Sequence, residues 1–277
     1  MNIEAQEAFF NDHHAQFSPE TTRSYRIALT QFSAFCQKDY GHVKAADIRA
    51  WLADMAEREL KPRTIHLKLA ALKSFYNYCM EESMVKKNPT LIVSTPKIDD
   101  SLPYYLSKKE LALLQELTRK NLRDRVIVET LYVTGVRISE LLQIKLEDVK
   151  WDTRQIWIRK GKGNKERFVL FTHDCEVRLK TYLEQREKES NYLISNCRGG
   201  SLSRGFVEQQ FQGFSEELGF RVRPHTLRHT FAAHMTERGM KFEHIQELLG
   251  HANVNSTRIY TRLMNAARKK QYDQYQT

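Results

Sequence analysis

Apolar residues recur at helical spacing along most of the chain. After Ser18-Pro19-Glu20, a serine suited to cap a helix and a proline suited to its first turn, Tyr25, Leu29, Phe32 and Cys36 fall three or four positions apart. Ile48, Trp51, Leu52 and Met55 predict a helix over 45–58, and Ile65, Leu69, Leu72, Tyr76 and Cys79 or Met80 predict another from about Arg63 to Met84. These helices have apolar faces enough for a core of their own, so residues 1–92 are expected to form a small helical bundle. The periodicity fails from Ile92 to Pro103. Two prolines and the adjacent acids Asp99 and Asp100 predict an exposed linker over 93–103.

Beyond it the pattern is mixed. Ser107 opens a helix in SKKELALLQELTRK, a second is expected near 123–133, and a third after Thr134-Gly135 that Leu141, Leu142, Ile144 and Leu146 would continue as a buried helix. Gln155 to Lys160 and Arg167 to Phe171 read as short strands, joined by the basic turn Gly161 to Lys165. Helices are expected again at 173–189, 203–218, 226–238 and 241–249, where Gly250 is a left-handed stop, with a short one near 256–263. The predicted fold class is mostly α with a small β-sheet: a two-domain chain with an α+β domain over 104–277.

Charge sharpens this picture. The formal excess of +10 lies entirely in residues 101–277, while residues 1–100 are balanced. A basic excess confined to one domain fits a polyanionic partner, as it also fits solvated lysine faces. No apolar run reaches the length of a membrane span, and the acidic start is not a secretory signal, which points to a cytoplasmic protein. Four scattered cysteines give neither a metal motif nor a disulfide framework.

Several short motifs carry chemistry. In HTLRH, His225 and Arg228 are three apart at a helix start, where both side chains and the helix end favour a phosphate. By itself the pair is more often a surface histidine and arginine. His225, His229 and His234 include an i, i+4 pair, but no glutamate completes a zinc motif and Arg228 opposes a cation, so no metal is expected. His251 follows the LLG stop, and Tyr260 comes nine residues later. Arg137 follows the Thr-Gly break. GKGNKER lies between strands and lacks the full nucleotide-binding pattern, so no ATP site is expected.

Together TGVRISELLQI, KGKGNKERFVLF, HTLRHTFAAHM and LLGHANVNSTRIYT resemble the tyrosine recombinase family, the phage integrase and Xer-like group, in its motif order and spacing. The N-terminal helices resemble, less specifically, the family's SAM-like core-binding domain. The resemblance implies that Arg137, Lys162, His225, Arg228, His251 and Tyr260 are catalytic, with Tyr260 the nucleophile. Arg262 stands where many Xer-type relatives carry histidine. Tyr272 and Tyr275 are weaker nucleophile candidates because they lack the spacing to LLGH.

The implied activity is site-specific recombination through a 3′-phosphotyrosine intermediate and a Holliday junction, for resolution or integration of a replicon or mobile element. No cofactor is expected. Implied partners are double-stranded recombination sites, three further copies or a related recombinase in a tetramer, and accessory DNA-binding proteins, in the bacterial cytoplasm on the nucleoid. The two domains would clamp duplex DNA, with Lys61, Arg63, Lys68 and Lys73 on one basic helix face, which His66 shares, and Lys165 and Arg167 on the hairpin as contacts. An inactive DNA-binding protein and a type IB topoisomerase are the alternatives.

Overall fold

The computed structural model describes residues 3–95, 103–159, 166–250 and 272–273. The chain divides into two compact units, Met1–Asp100 and Ser101–Thr277.

The first unit is helical: α1 (Ile3–Asp12), α2 (Pro19–Cys36), α3 (Ala45–Glu57) and α4 (Pro62–Glu81). Ser18 caps α2 as expected, its hydroxyl accepting from the Thr21 amide at 3.2 Å. Phe9, Leu29, Phe32, Trp51, Leu72 and Phe75 form the buried centre. Phe32 meets the Trp51 ring at 5.0 Å, and Phe9 meets Phe75 edge-on at 5.7 Å. Helix α1 was not expected from the sequence. It is only ten residues long, and its adjacent Phe9 and Phe10 blur the periodicity.

The second unit comprises α5 (Lys108–Leu117), α6 (Leu122–Thr134), α7 (Ile138–Leu141), β1 (Val149–Lys150), β2 (Gln155–Ile158), β3 (Arg167–Leu170), α8 (His173–Gln185), α9 (Arg204–Leu218), α10 (Pro224–Glu237) and α11 (Phe242–Leu249). The strands form one antiparallel sheet in the order β1-β2-β3, in which Ile156 pairs with both Val149 and Val169. Helix α6 is buried around nearly its whole circumference and packs on α8 and α10. Its ionisable Glu129 lies between Arg125 at 3.4 Å and Arg178 at 2.5 Å.

The expected long helix after Gly135 is a single turn. Its continuation is claimed by another segment: the Ile144 carbonyl accepts from the Leu193 amide, and the Leu146 amide donates to Asn191, both at 2.8 Å. A helix through Leu146 would forfeit both bonds, of which the Ile144–Leu193 pairing lies between buried residues and must be kept.

Gly135 ends α6 in the left-handed region, with φ +62°, and a Cβ there would lie 2.5 Å from Phe231 Cδ1. Both strain and overlap exclude a side chain. Gly213, exposed within α9, meets nothing within 4 Å. Gly135→Ala is therefore expected to destabilise by about 2 kcal/mol, and Gly213→Ala to stabilise by about 0.5–1 kcal/mol. Urea unfolding of the full chain measures both, and like signs would contradict this contrast between the two glycines.

Candidate active site

The site begins at the α6 stop. Because Gly135 turns the chain sharply, Arg137 enters as the residue that caps α7. Three residues on, Glu140 reaches back. Its carboxylate accepts from the Arg137 amide at 2.8 Å and from Arg137 Nη1 at 2.7 Å. Arg137 is thus fixed at backbone and side chain by one group, while its side chain stays partly exposed.

Arg228 comes from the middle of the first half of α10, where it is almost wholly buried. Its Nη1 donates to Gly135 O and its Nη2 to Leu249 O, each at 2.6 Å. Arg137 Nη2 lies 3.4 Å from Gly250 O. Arg167, from the start of β3, donates through Nε to Leu248 O at 2.8 Å. Three successive carbonyls at the end of α11 therefore accept from three different arginines. These carbonyls belong to the end of a helix, where the helix itself offers no amide to satisfy them and its dipole is negative. Gly250 supplies the left-handed stop expected from the sequence, with φ +61°.

Glu140 also binds Arg167 by a two-point fork, Nη1 to Oε1 at 3.1 Å and Nη2 to Oε2 at 2.8 Å. Burial pushes the Glu140 carboxyl up, but the hydrogen bonds and charges of Arg167 and Arg137 outweigh it and hold it below the usual carboxylate range.

Arg137, Arg228 and His225 open onto one cleft of about 1170 Å³. His225, the second residue of α10, is exposed and packs edge-on against His229 with ring centres 4.4 Å apart. Arg204, Arg221 and Arg223 line the same cleft, so five arginines face two glutamates, Glu208 and Glu216. Such a cleft concentrates anions, and paired guanidinium forks suit phosphate oxygens.

Three of the expected catalytic residues, Arg137, His225 and Arg228, are brought together from segments far apart in sequence. The other three, Lys162, His251 and Tyr260, lie outside the described residues, as does Lys165. Arg167 is not placed for the DNA contact expected of it. Its side chain is 7% exposed, and each of its three nitrogens donates to Glu140 or Leu248. In the first unit Lys61 and Arg63 are exposed, while Lys68 and Lys73 are half-buried. The expected single basic face is two: at seven-residue spacing Lys61 and Lys68 share one side of α4, and His66 and Lys73 share another. Lys68 is held below the usual lysine range by burial and by nearby Arg58.

His234, one of the three histidines weighed for a metal, is buried, with Nδ1 3.1 Å from the Tyr132 hydroxyl, and burial pushes its pKa down. Among the described residues no group of three or more His, Cys, Asp and Glu is placed to hold a metal ion, and no helix is long and apolar enough to cross a membrane. Glu140, Arg204, Arg221 and Arg223 were not singled out in the sequence. A signal existed for Glu140, since an acid three residues inside a helix start commonly caps the preceding amide.

Residues 105–266 match the phage integrase family, and residues 6–85 match the phage integrase N-terminal SAM-like domain. The tyrosine recombinase XerC of Staphylococcus carnosus (strain TM300) is 35% identical over 269 residues, spanning 92% of this chain and 90% of that protein. In fold the chain resembles a XerH site-specific recombinase bound to palindromic difH substrate in a post-cleavage complex, with TM-score 0.75, 23% identity and coverage of 92% of this chain and 80% of that one. It also resembles a lambda integrase tetramer bound to a Holliday junction, with TM-score 0.76, 17% identity and coverage of 92% and 76%.

Glu140→Gln removes the one carboxylate that two largely buried arginines share. It is expected to cost about 3–5 kcal/mol near pH 7. A carboxyl with a depressed folded pKa contributes stability above its unfolded value, about 4.3, and loses it as pH falls through the folded value. The gap between wild type and variant should therefore be full at pH 6–7 and close progressively below about pH 4.3. Urea midpoints across this range check it, and a gap that widened on acidification would refute the assignment.

Proposed function

The chain belongs to the phage integrase family, and from that premise we propose that it is a site-specific DNA recombinase that cuts and rejoins duplex DNA through a covalent link to Tyr260. The observation that carries the reading is the convergence of Arg137, Arg228 and His225 on one arginine-lined cleft. The site has guanidinium forks and a histidine where phosphoryl transfer needs charge stabilisation and a proton carrier.

In the proposed reaction, Arg137 and Arg228 bind the non-bridging oxygens of the scissile phosphate, with His225 and His251 as further donors. The Tyr260 hydroxyl attacks phosphorus, and the bond to the 5′ oxygen breaks. A free tyrosine has a pKa of about 10, so its proton must leave as attack proceeds, and His225 accepts it. Lys162 gives a proton to the departing 5′ oxygen. The product holds the DNA 3′ phosphate on Tyr260 and a free 5′ hydroxyl on the other side. Attack by a 5′ hydroxyl reverses the step and restores a phosphodiester, so no ATP is consumed. When the attacking hydroxyl comes from a second duplex, strands are exchanged. Guanidinium groups supply the positive charge that a metal ion would bring.

We assign residues 1–92 to a core-binding DNA domain and 104–277 to the catalytic domain, joined by the linker 93–103. Two domains of this kind suit a clamp on duplex DNA, with Lys61, Arg63, Lys68 and Lys73 among its phosphate contacts. The lambda integrase likeness, a tetramer on a Holliday junction, supports a tetrameric complex here. A related recombinase as partner, accessory DNA-binding proteins, a place on the bacterial nucleoid, and a task in resolving or integrating a replicon or mobile element complete the reading.

The test uses a duplex nicked beside the cleavage position of a site recovered from DNA trapped on the protein in cells. Wild type is expected to give an SDS-resistant adduct in EDTA without ATP. Tyr260→Phe should bind the duplex with undiminished affinity and give no adduct. An adduct from the phenylalanine variant would remove Tyr260 from its role. Specific binding by wild type with no adduct would favour a binding protein, and relaxation of supercoils without strand exchange would favour a topoisomerase. Affinity should also fall steeply with salt, since each neutralised phosphate releases counterions.

A further inference from the structure

We infer that Arg167 is a positioning residue for Arg137, a buried strut that ties β3, α7 and the end of α11 into one rigid unit around Glu140. The inference rests on the reading above that Arg137 holds the scissile phosphate.

The geometry is specific. Arg167 divides its planar fork between both oxygens of Glu140, at 3.1 and 2.8 Å, and sends its Nε–H to Leu248 O at 2.8 Å. Glu140 is 2% exposed and is the same group that holds the Arg137 amide and guanidinium. Arg167 therefore fixes the group that fixes Arg137. Without it, the carboxylate keeps its bonds to Arg137 but loses the second fork that defines its plane.

The strut also reaches the segment before His251. Leu248 lies in the last turn of α11, and Gly250 follows as its left-handed stop. A Cβ on Gly250 would come within 2.9 Å of Arg167 Cδ and Nη1. The absence of a side chain at Gly250 is thus what lets the guanidinium come this close to the end of α11. On the other side, Arg167 is the first residue of β3 and pairs with Ile158 across the sheet. β3, the strand that follows Lys162 in sequence, is consequently anchored to the arginine site at its first position. A lysine cannot replace this arginine. One ammonium has no planar fork for two carboxylate oxygens, and its stem cannot add the Nε bond.

The experiment compares wild type with Arg167→Lys, full chain, on the nicked duplex carrying the trapped site, in two forms. One has the natural scissile phosphodiester. The other has a methylphosphonate there, in which a methyl group replaces a charged oxygen and leaves less charge for Arg137 to hold. Arg167→Lys should keep its affinity in band shifts and cleave the natural diester about a hundredfold more slowly, the scale of a misplaced catalytic contact. On the methylphosphonate the deficit should shrink to within about threefold, because less of the rate there depends on a guanidinium position. Arg137→Ala should show the same contrast.

A deficit equal on both linkages would mean a general structural role and overturn the inference. So would full activity on the diester, or cleavage lost only in proportion to affinity. If Arg137→Ala cleaved the diester like wild type, the underlying reading of Arg137 would fail instead. Should the lysine variant not fold, Arg167→Gln takes its place: its neutral amide keeps N–H donors toward Glu140 but has no two-point guanidinium fork, and Glu140 still holds Arg137. It should reproduce the contrast between linkages, and wild-type cleavage of the diester by it would equally overturn the inference.

Discussion

Like charges repel, and this fold collects guanidinium groups in one small volume. What makes that tolerable is a pair of acceptors: the Glu140 carboxylate and the carbonyl end of α11. Glu140 takes two arginines, and the carbonyls of Leu248, Leu249 and Gly250 take one each from Arg167, Arg228 and Arg137. Each contact fixes a direction as well as offsetting charge. A phosphate entering the cleft meets groups already oriented, so little ordering remains to be done when charge builds on its oxygens. The rest of the second unit can be read as the means of bringing these acceptors and donors to one place.

The means are ordinary packing. Helices α6 and α10 lie against each other with nearly all their faces buried. Their contact sets where Gly135 ends one helix and where Arg228 projects from the other, which is why the Gly135 carbonyl meets Arg228 Nη1. Phe231, one turn beyond Arg228, fills the space against Gly135 that a larger residue would need. Thr230 accepts from the Leu106 amide at 2.9 Å and donates to Thr226 O at 2.8 Å, fastening the start of this unit to α10. Stability and site geometry are therefore carried by the same residues, and substitutions here act on both.

Much of this was legible in the sequence, for identifiable reasons. Caps at Ser18 and Ser107 and stops at Gly135 and Gly250 are local chemistry, and local chemistry is written in adjacent residues. The convergence of Arg137, His225 and Arg228 was readable only through the resemblance of the motifs, since their spacing says nothing of contact. What was misread depends on distant partners. The helix expected through Leu146 gave way because the 191–193 segment offered its backbone better bonds. Arg167 reads as one more basic residue in a basic hairpin. Only the fold shows that its partners are Glu140, twenty-seven residues before it, and Leu248, eighty-one after it. The basic residues of α4 separate into two edges because a helix turns them apart, a matter of angle that a count of charges omits.

The central claim is that this arginine cluster holds a DNA phosphate for attack by Tyr260. Its most direct measurement is the chemical identity of the protein–DNA link, read by mass spectrometry after nuclease and trypsin digestion of the trapped complex. The account predicts a single modified peptide, Ile259–Arg262, carrying a nucleotide joined through its 3′ phosphate to the tyrosine. A nucleotide on Tyr272, Tyr275 or a serine, or one joined through a 5′ phosphate, would contradict it.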